Sequence, residues 1–151
     1  MRTHVTPYRL VLGIMLAILA AGLIATPAAA VTREFLLVTG EWSWKAKTGE
    51  APVTDRDRGA VTEIERYSFD PAFIVVNKGD TVVLKIHTLK GDHHLFELPA
   101  FGVKETKIAR GEEKVITFVA KKAGIFEFRC NNHTNAQKEG PMVGYLYVNG
   151  R

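Results

Sequence analysis

Apolar and polar residues alternate over short stretches of this chain, which is the period-two pattern of half-buried β-strands. No long stretch shows the 3.6-residue period of an amphipathic helix. Glycine-containing turns such as Gly79-Asp80 and Gly91-Asp92 separate the stretches, whereas Lys47–Glu63 is polar and is predicted to be a long loop. The predicted strands are Glu34–Val38, Trp42–Lys45, Phe73–Val76, Thr81–His87, His93–Leu98, Lys114–Val119, Ile125–Cys130 and Tyr145–Val148. Short strands at this spacing favour an all-β sandwich or barrel.

The phase of three of these strands decides which side chains face the core, because alternate residues point to opposite faces of a sheet. One histidine and one cysteine fall on the core faces near strand ends, whereas His87 and His93 point outward. The predicted inward sets are Val82, Leu84 and Ile86; His94, Phe96 and Leu98; and Phe126, Phe128 and Cys130.

The first thirty residues have a different character from the rest. Arg2 and Arg9 give a basic start, residues 10–25 are apolar and uncharged, and Ala28-Ala29-Ala30 offers small residues for cleavage. This pattern is typical of a signal peptide, a helix that is removed to leave Val31 as the first mature residue. The apolar run is nearly long enough to span a bilayer, so an uncleaved membrane anchor is the alternative. We therefore expect a periplasmic or otherwise extracytoplasmic protein, which would contact the membrane only if the N-terminal segment is not cleaved.

The rest of the chain has the composition of one globular domain, with 46% hydrophobic and 24% charged residues. We divide it into residues 31–65, which hold the early strands and the polar loop, and residues 66–151, which form the predicted core. The formal net charge of the whole chain is +4, and removing residues 1–30 takes away two arginines and no acid. A nearly neutral chain without nucleic-acid-binding motifs predicts no nucleic-acid partner.

Cys130 is the only cysteine, so its thiol has no disulfide partner within the chain. It is an inert buried thiol, a bridge to another molecule or a metal ligand. His133 follows it by three residues, His94 comes from a separate strand, and Met142 follows after a loop. Two imidazoles, one thiolate and a weak thioether form the ligand set of a trigonal copper electron-transfer site. Zinc is the competing metal, because cysteine and histidine also suit it.

Three stretches resemble the cupredoxin family. Residues 69–76 (FDPAFIVV) and 78–82 (KGDTV) are similar to the opening of a cupredoxin domain. Residues 94–104 (HLFELPAFGVK) resemble the first histidine segment of the copper domain of cytochrome oxidase subunit II. The run through Gly111, Ala123-Gly124, Cys130 and His133 resembles nitrosocyanin, a mononuclear red copper protein. Together these stretches cover about residues 66–149, and they imply a Greek-key β-sandwich that binds copper through His94, Cys130, His133 and Met142.

The sequence departs from both relatives at the site. The oxidase domain binds two coppers through two cysteines, so the single Cys130 predicts one copper ion per chain. Nitrosocyanin has a glutamate at the position of His94 and a second histidine at that of Lys138. The spacing from His133 to Met142 is also longer than cupredoxins normally use. The fourth ligand could therefore be Met142, Gln137 or Glu139, or the fourth position could be open.

We expect the protein to carry single electrons between redox protein partners, with the exposed edge of His133 as the electron port, and not to be an enzyme. One alternative is a nitrosocyanin-like copper centre with an open coordination position and a catalytic role. Another is periplasmic copper storage or delivery, which the small number of methionines disfavours, since Met1 and Met15 lie in the leader. The sequence identifies neither the partners nor the oligomeric state.

Overall fold

The structure is a computed structural model that describes residues 30–150. The predicted signal peptide therefore lies outside the described residues, apart from Ala30. Within them, no helix is long and apolar enough to cross a membrane. The strands are β1 (Thr32–Lys45), β2 (Val53–Asp55), β3 (Gly59–Val61), β4 (Glu63–Asp70), β5 (Phe73–Asn77), β6 (Thr81–Thr88), β7 (His93–Leu98), β8 (Val103–Ala109), β9 (Glu113–Val119), β10 (Gly124–Cys130) and β11 (Val143–Asn149). Short 3₁₀ turns lie at Pro99–Phe101 and Ala136–Lys138.

The strands form two main sheets and one small hairpin. The four-stranded sheet has the order β4-β1-β6-β9, and the five-stranded sheet has the order β5-β11-β10-β7-β8. The β1/β6 and β5/β11 pairs are parallel, and the other pairs are antiparallel. Strands β2 and β3 pair only with each other within the described part of the chain. The predicted all-β Greek-key sandwich is confirmed.

The two sheets bury their apolar faces against each other, and the predicted strand phases are correct. Val82, Leu84 and Ile86 are buried, as are His94, Phe96, Leu98, Phe128 and Cys130, while Phe126 is half-buried against them. His87 and His93 alternate to the more exposed faces of β6 and β7. Inside the sandwich, the rings of Phe69, Phe96 and Phe128 contact one another with centroids 5.3–5.8 Å apart. These three rings pack β4 of one sheet against β7 and β10 of the other.

Three features of the fold differ from the sequence prediction. The two predicted N-terminal strands are one strand, β1, because its first half pairs with β6 and its second half with β4. Strands β4 and β8 were not predicted, since each buries a single residue, Phe69 or Ile108, among polar neighbours. The predicted polar loop contains the β2–β3 hairpin.

Candidate metal centre

His94, Cys130 and His133 come together at one end of the sandwich. One ligand atom from each lies within 4.8 Å of the other two. The Cys130 Sγ atom is 3.5 Å from Nδ1 of His94 and 3.5 Å from Nδ1 of His133. All three residues are buried, with exposed fractions of 0% for His94, 1% for Cys130 and 7% for His133. The arrangement offers two nitrogens and one sulfur to a single ion.

Neighbouring strands of the five-stranded sheet position this cluster. Cys130 is the last residue of β10 and pairs with Phe96 of β7. His94 lies on the same face of β7 as Phe96, two residues away, so its imidazole reaches the thiol. His133 lies in the turn that follows β10, where its backbone NH donates to the Cys130 carbonyl at 3.4 Å.

The tautomer of His94 is set by its surroundings. Its Nε2 atom lies 2.9 Å from the carbonyl oxygen of Lys90, and a carbonyl can only accept, so Nε2 carries the proton. The lone pair of Nδ1 therefore faces Cys130. Gly91 permits this approach, because a Cβ there would lie 3.1 Å from Nε2 and its φ is +76°. Burial lowers the pKa of His94, which keeps the imidazole neutral and available as a ligand.

The Cys130 sulfur is held by a small hydrogen-bond network. The Leu95 NH donates to Sγ at 3.3 Å and to the Asn132 Oδ1 at 3.0 Å, while the Asn132 amide donates to the His93 carbonyl at 2.9 Å. Burial raises the pKa of the Cys130 thiol, so metal binding must release its proton. The Leu95 NH then remains as a donor to the thiolate. Sequence reasoning missed Asn132, although its place between Cys130 and His133 was a usable signal.

The structure corrects the expectation that His133 presents an exposed edge. Its side chain is only 9% exposed, and Nε2 faces the Glu139 carboxylate at 3.9 Å. The ring of Tyr67 packs against the imidazole with centroids 4.5 Å apart. Burial, with a further contribution from the nearby His94 imidazole, lowers the pKa of His133 to about 4. The imidazole is therefore neutral near pH 7 and largely shielded from solvent.

Residues 131–142, here called the ligand loop, are closed by their own backbone hydrogen bonds. The Met142 NH donates to the His133 carbonyl at 2.9 Å, and the Cys130 NH donates to the Met142 carbonyl at 3.0 Å. Gly140 is required at its position, because a Cβ there would lie 2.2 Å from the His133 carbonyl oxygen. Despite the length of the loop, these hydrogen bonds therefore place the backbone of Met142 next to that of Cys130 and His133.

The candidates for a fourth ligand lie in different surroundings. Met142 is fully buried. Gln137 is exposed, and its amide donates to the Asp57 carbonyl in the β2–β3 hairpin at 3.3 Å. The Glu139 carboxylate lies 3.9 Å from Nε2 of His133. Within residues 30–150, one group of histidine, cysteine and acidic side chains could hold a metal, and it does not include Glu139, His87 or His93.

Strand β4 holds the ligand loop from outside. The Tyr67 NH donates to the Glu139 carbonyl at 2.8 Å, and the Arg66 guanidinium donates to the Gly140 carbonyl. The same guanidinium lies 3.9 Å from the carboxylates of Asp55 and Asp57 in the hairpin. The segment predicted as a structureless loop thus supports the candidate site.

Comparison with known proteins agrees with the fold. A family model described as a cupredoxin-like domain matches residues 15–143. Similar solved structures include a multicopper oxidase, mgLAC (19% identity, TM-score 0.59), a blue copper oxidase from Nitrosomonas europaea (18%, 0.59) and a copper nitrite reductase from the same organism (20%, 0.58). Each match covers 80–81% of this chain but only 39–42% of the other chain, so this chain spans about two-fifths of their length. No curated protein matches the sequence.

Proposed function

This chain belongs to the cupredoxin-like domain family, and we propose that it binds one copper ion and carries single electrons between redox protein partners. In this proposal His94, Cys130 and His133 would hold the ion, and Met142 would be a weak fourth ligand. The observation that carries the proposal is the buried cluster in which Sγ lies 3.5 Å from an Nδ1 atom of each imidazole.

The donor set fits copper. Bound copper would supply a centre that alternates between Cu(I) and Cu(II), which thiolate and imidazole ligands both tolerate. Burial keeps His94 and His133 neutral, so both offer a nitrogen lone pair without first losing a proton. The single cysteine disfavours a dinuclear centre, because both coppers of such a centre would need bridging thiolates.

The supports of the cluster favour electron transfer because they hold the ligands still. His94 is fixed by the Lys90 carbonyl, Cys130 by the Leu95 NH, and the ligand loop by β4. Ligands that keep their positions when the charge of the metal changes make electron transfer fast, since little has to reorganise. A catalytic centre would instead need an open position that substrate can reach.

The alternatives make different predictions from the same site. Zinc would give a colourless, redox-inactive protein. A nitrosocyanin-like centre would bind an added small ligand directly at the metal. Copper delivery would need exchangeable ligands at the surface, but Met142, the only methionine among the described residues, is fully buried.

Export is part of this proposal and rests on the N-terminal sequence. Cleavage after Ala30 would convert the Val31 amide into an ammonium group. Its nitrogen lies 3.1 Å from the carboxylate of Asp80, which is 1% exposed. The new charge would therefore have a buried partner. N-terminal sequencing of protein from a periplasmic extract tests this, and an intact N-terminus found only in membranes would support the anchor instead.

A potentiometric titration of the copper-loaded protein tests the proposed electron transfer. We expect a reversible one-electron transition with one copper per chain and rapid oxidation by a small soluble electron acceptor. A centre that cannot be cycled reversibly, or that turns over a small substrate at its copper, would contradict the electron-carrier proposal.

A further inference from the structure

Tyr67 lies against both histidines of the candidate metal centre, although no motif in the sequence marks it. Its ring centroid is 4.5 Å from that of His133, with the planes tilted by 37°. The same ring meets His94 edge-on, at 5.4 Å and 72°. One aromatic side chain thus contacts the two imidazoles, whose own centroids are 5.0 Å apart.

The Tyr67 ring is held in this position from three sides. Its hydroxyl donates to the Glu65 carboxylate at 2.8 Å, and its backbone NH donates to the Glu139 carbonyl of the ligand loop at 2.8 Å. On the remaining side, a Cβ at Gly91 would lie 3.4 Å from the Tyr67 ring and 3.1 Å from the His94 imidazole. The ring therefore fills its space closely.

The other approach to the cluster gives little access. A depression of about 280 Å³ lies on the outer face of the five-stranded sheet, among Glu127, Arg129 and Val143. Cys130 and His133 also line it, but they are only 1% and 7% exposed, and the Cys130 Sγ faces the two imidazoles. On the β4 side, the half-buried Tyr67 ring packs against both imidazoles.

We propose that Tyr67 is a positioning residue that fixes both histidine rings and keeps water away from the metal. This inference rests on the proposed copper site and adds a determinant of its reduction potential. The oxidised centre carries one more positive charge than the reduced centre, so water stabilises it more strongly. A cover that excludes water therefore raises the reduction potential.

The test compares Tyr67→Leu, Tyr67→Phe and Tyr147→Leu with wild type, all loaded with copper. Tyr147→Leu makes the same chemical change on the outer face of the other sheet, at a side chain that is 38% exposed. Two quantities are measured: the relaxation rate of water protons in the presence of the Cu(II) protein, and the midpoint potential. Both report access of water to the metal, independently of any activity.

We expect Tyr67→Leu to raise the water-proton relaxation severalfold and to lower the potential. Tyr67→Phe should stay close to wild type, because the ring that forms the cover is kept and Gly91 still lies against it. Tyr147→Leu should match wild type, because Tyr147 pairs with Ile125 near the start of β10, whereas Cys130 is the last residue of that strand. Wild-type values for Tyr67→Leu would overturn the inference. If Tyr67→Leu fails to fold, high water relaxation in the wild-type protein itself would overturn it equally. If the copper-loaded wild-type protein itself shows no thiolate-to-copper absorption band, the proposed copper site would be refuted instead.

Discussion

Replacing Gly140 with alanine tests whether the backbone of the ligand loop is packed as tightly around this residue as the structure indicates. The new Cβ would lie 2.2 Å from the His133 carbonyl oxygen, 2.5 Å from its carbonyl carbon and 3.0 Å from the Thr134 nitrogen. All three are backbone atoms, so no side-chain rotation relieves the contact. The loop must move, and the 2.9 Å hydrogen bond from the Met142 NH to the His133 carbonyl is the first interaction to be lost.

The expected magnitude follows from these two effects. Overpacking costs about 1–3 kcal/mol, and a lost backbone hydrogen bond costs about 0.5–1.5 kcal/mol. We therefore expect Gly140→Ala to lower the free energy of unfolding by roughly 1.5–4.5 kcal/mol. A small domain has about 5–15 kcal/mol of stability, so the variant should still fold. Because His133 is displaced, copper affinity should fall by about 10–100-fold, the range of outer-shell changes at metal sites.

Urea unfolding of the copper-free protein and competitive copper titration measure the two quantities. Gly40→Ala is the matched control, since its Cβ would meet only the Ser68 hydroxyl, at an ordinary 3.6 Å. That variant should differ from wild type by less than about 1 kcal/mol in unfolding free energy. A Gly140→Ala protein with the unfolding midpoint and copper affinity of wild type would refute the close packing of the loop.

Three further predictions follow from the site and the fold. His94→Ala should abolish the visible copper band while His93→Ala leaves it nearly intact; the opposite result would mean that the strand is shifted by one residue. Met142→Leu should keep the band and raise the reduction potential, because a thioether that stabilises the oxidised ion is lost; an unchanged potential would exclude Met142 as a ligand. The backbone NH of Asn77 and the Arg33 guanidinium hold the pKa of Asp80 below 3.8, so its contribution to stability is present above that pH and is lost as the pH falls below it. Asp80→Asn should flatten this acid dependence in unfolding titrations, and an unchanged pH profile would contradict the role of the carboxylate.

The sequence was sufficient to predict the parts of the fold whose burial alternates strictly. Strands β6, β7 and β10 each alternate between a core face and a more exposed face, and their phases placed His94 and Cys130 inward. The spacing from Cys130 then added His133 and Met142 as candidates, and the resemblance to cupredoxins supported the set. Such residues can be recognised from the sequence, because buried strand positions are mostly apolar and because only a few residue types bind metals.

The parts that could not be predicted depend on long-range pairing. Strand β4 reads as polar because only Phe69 is buried, yet it supplies Tyr67 and Arg66 to the site. The burial of His133 also depends on Tyr67, which precedes it by more than sixty positions in the chain. A local pattern contains no information on such contacts, so the expected exposed edge of His133 was wrong.

The central claim, a single copper ion held by a cysteine thiolate and two histidines, is tested most directly by loading the protein with Cu(II). Absorption and electron paramagnetic resonance spectra are recorded for wild type and Cys130→Ser as copper is added. We expect saturation at one copper per chain, with an intense visible charge-transfer band and a mononuclear Cu(II) signal. In Cys130→Ser the band should be absent. Two coppers per chain with a mixed-valence signal, or a band that persists in Cys130→Ser, would contradict the account.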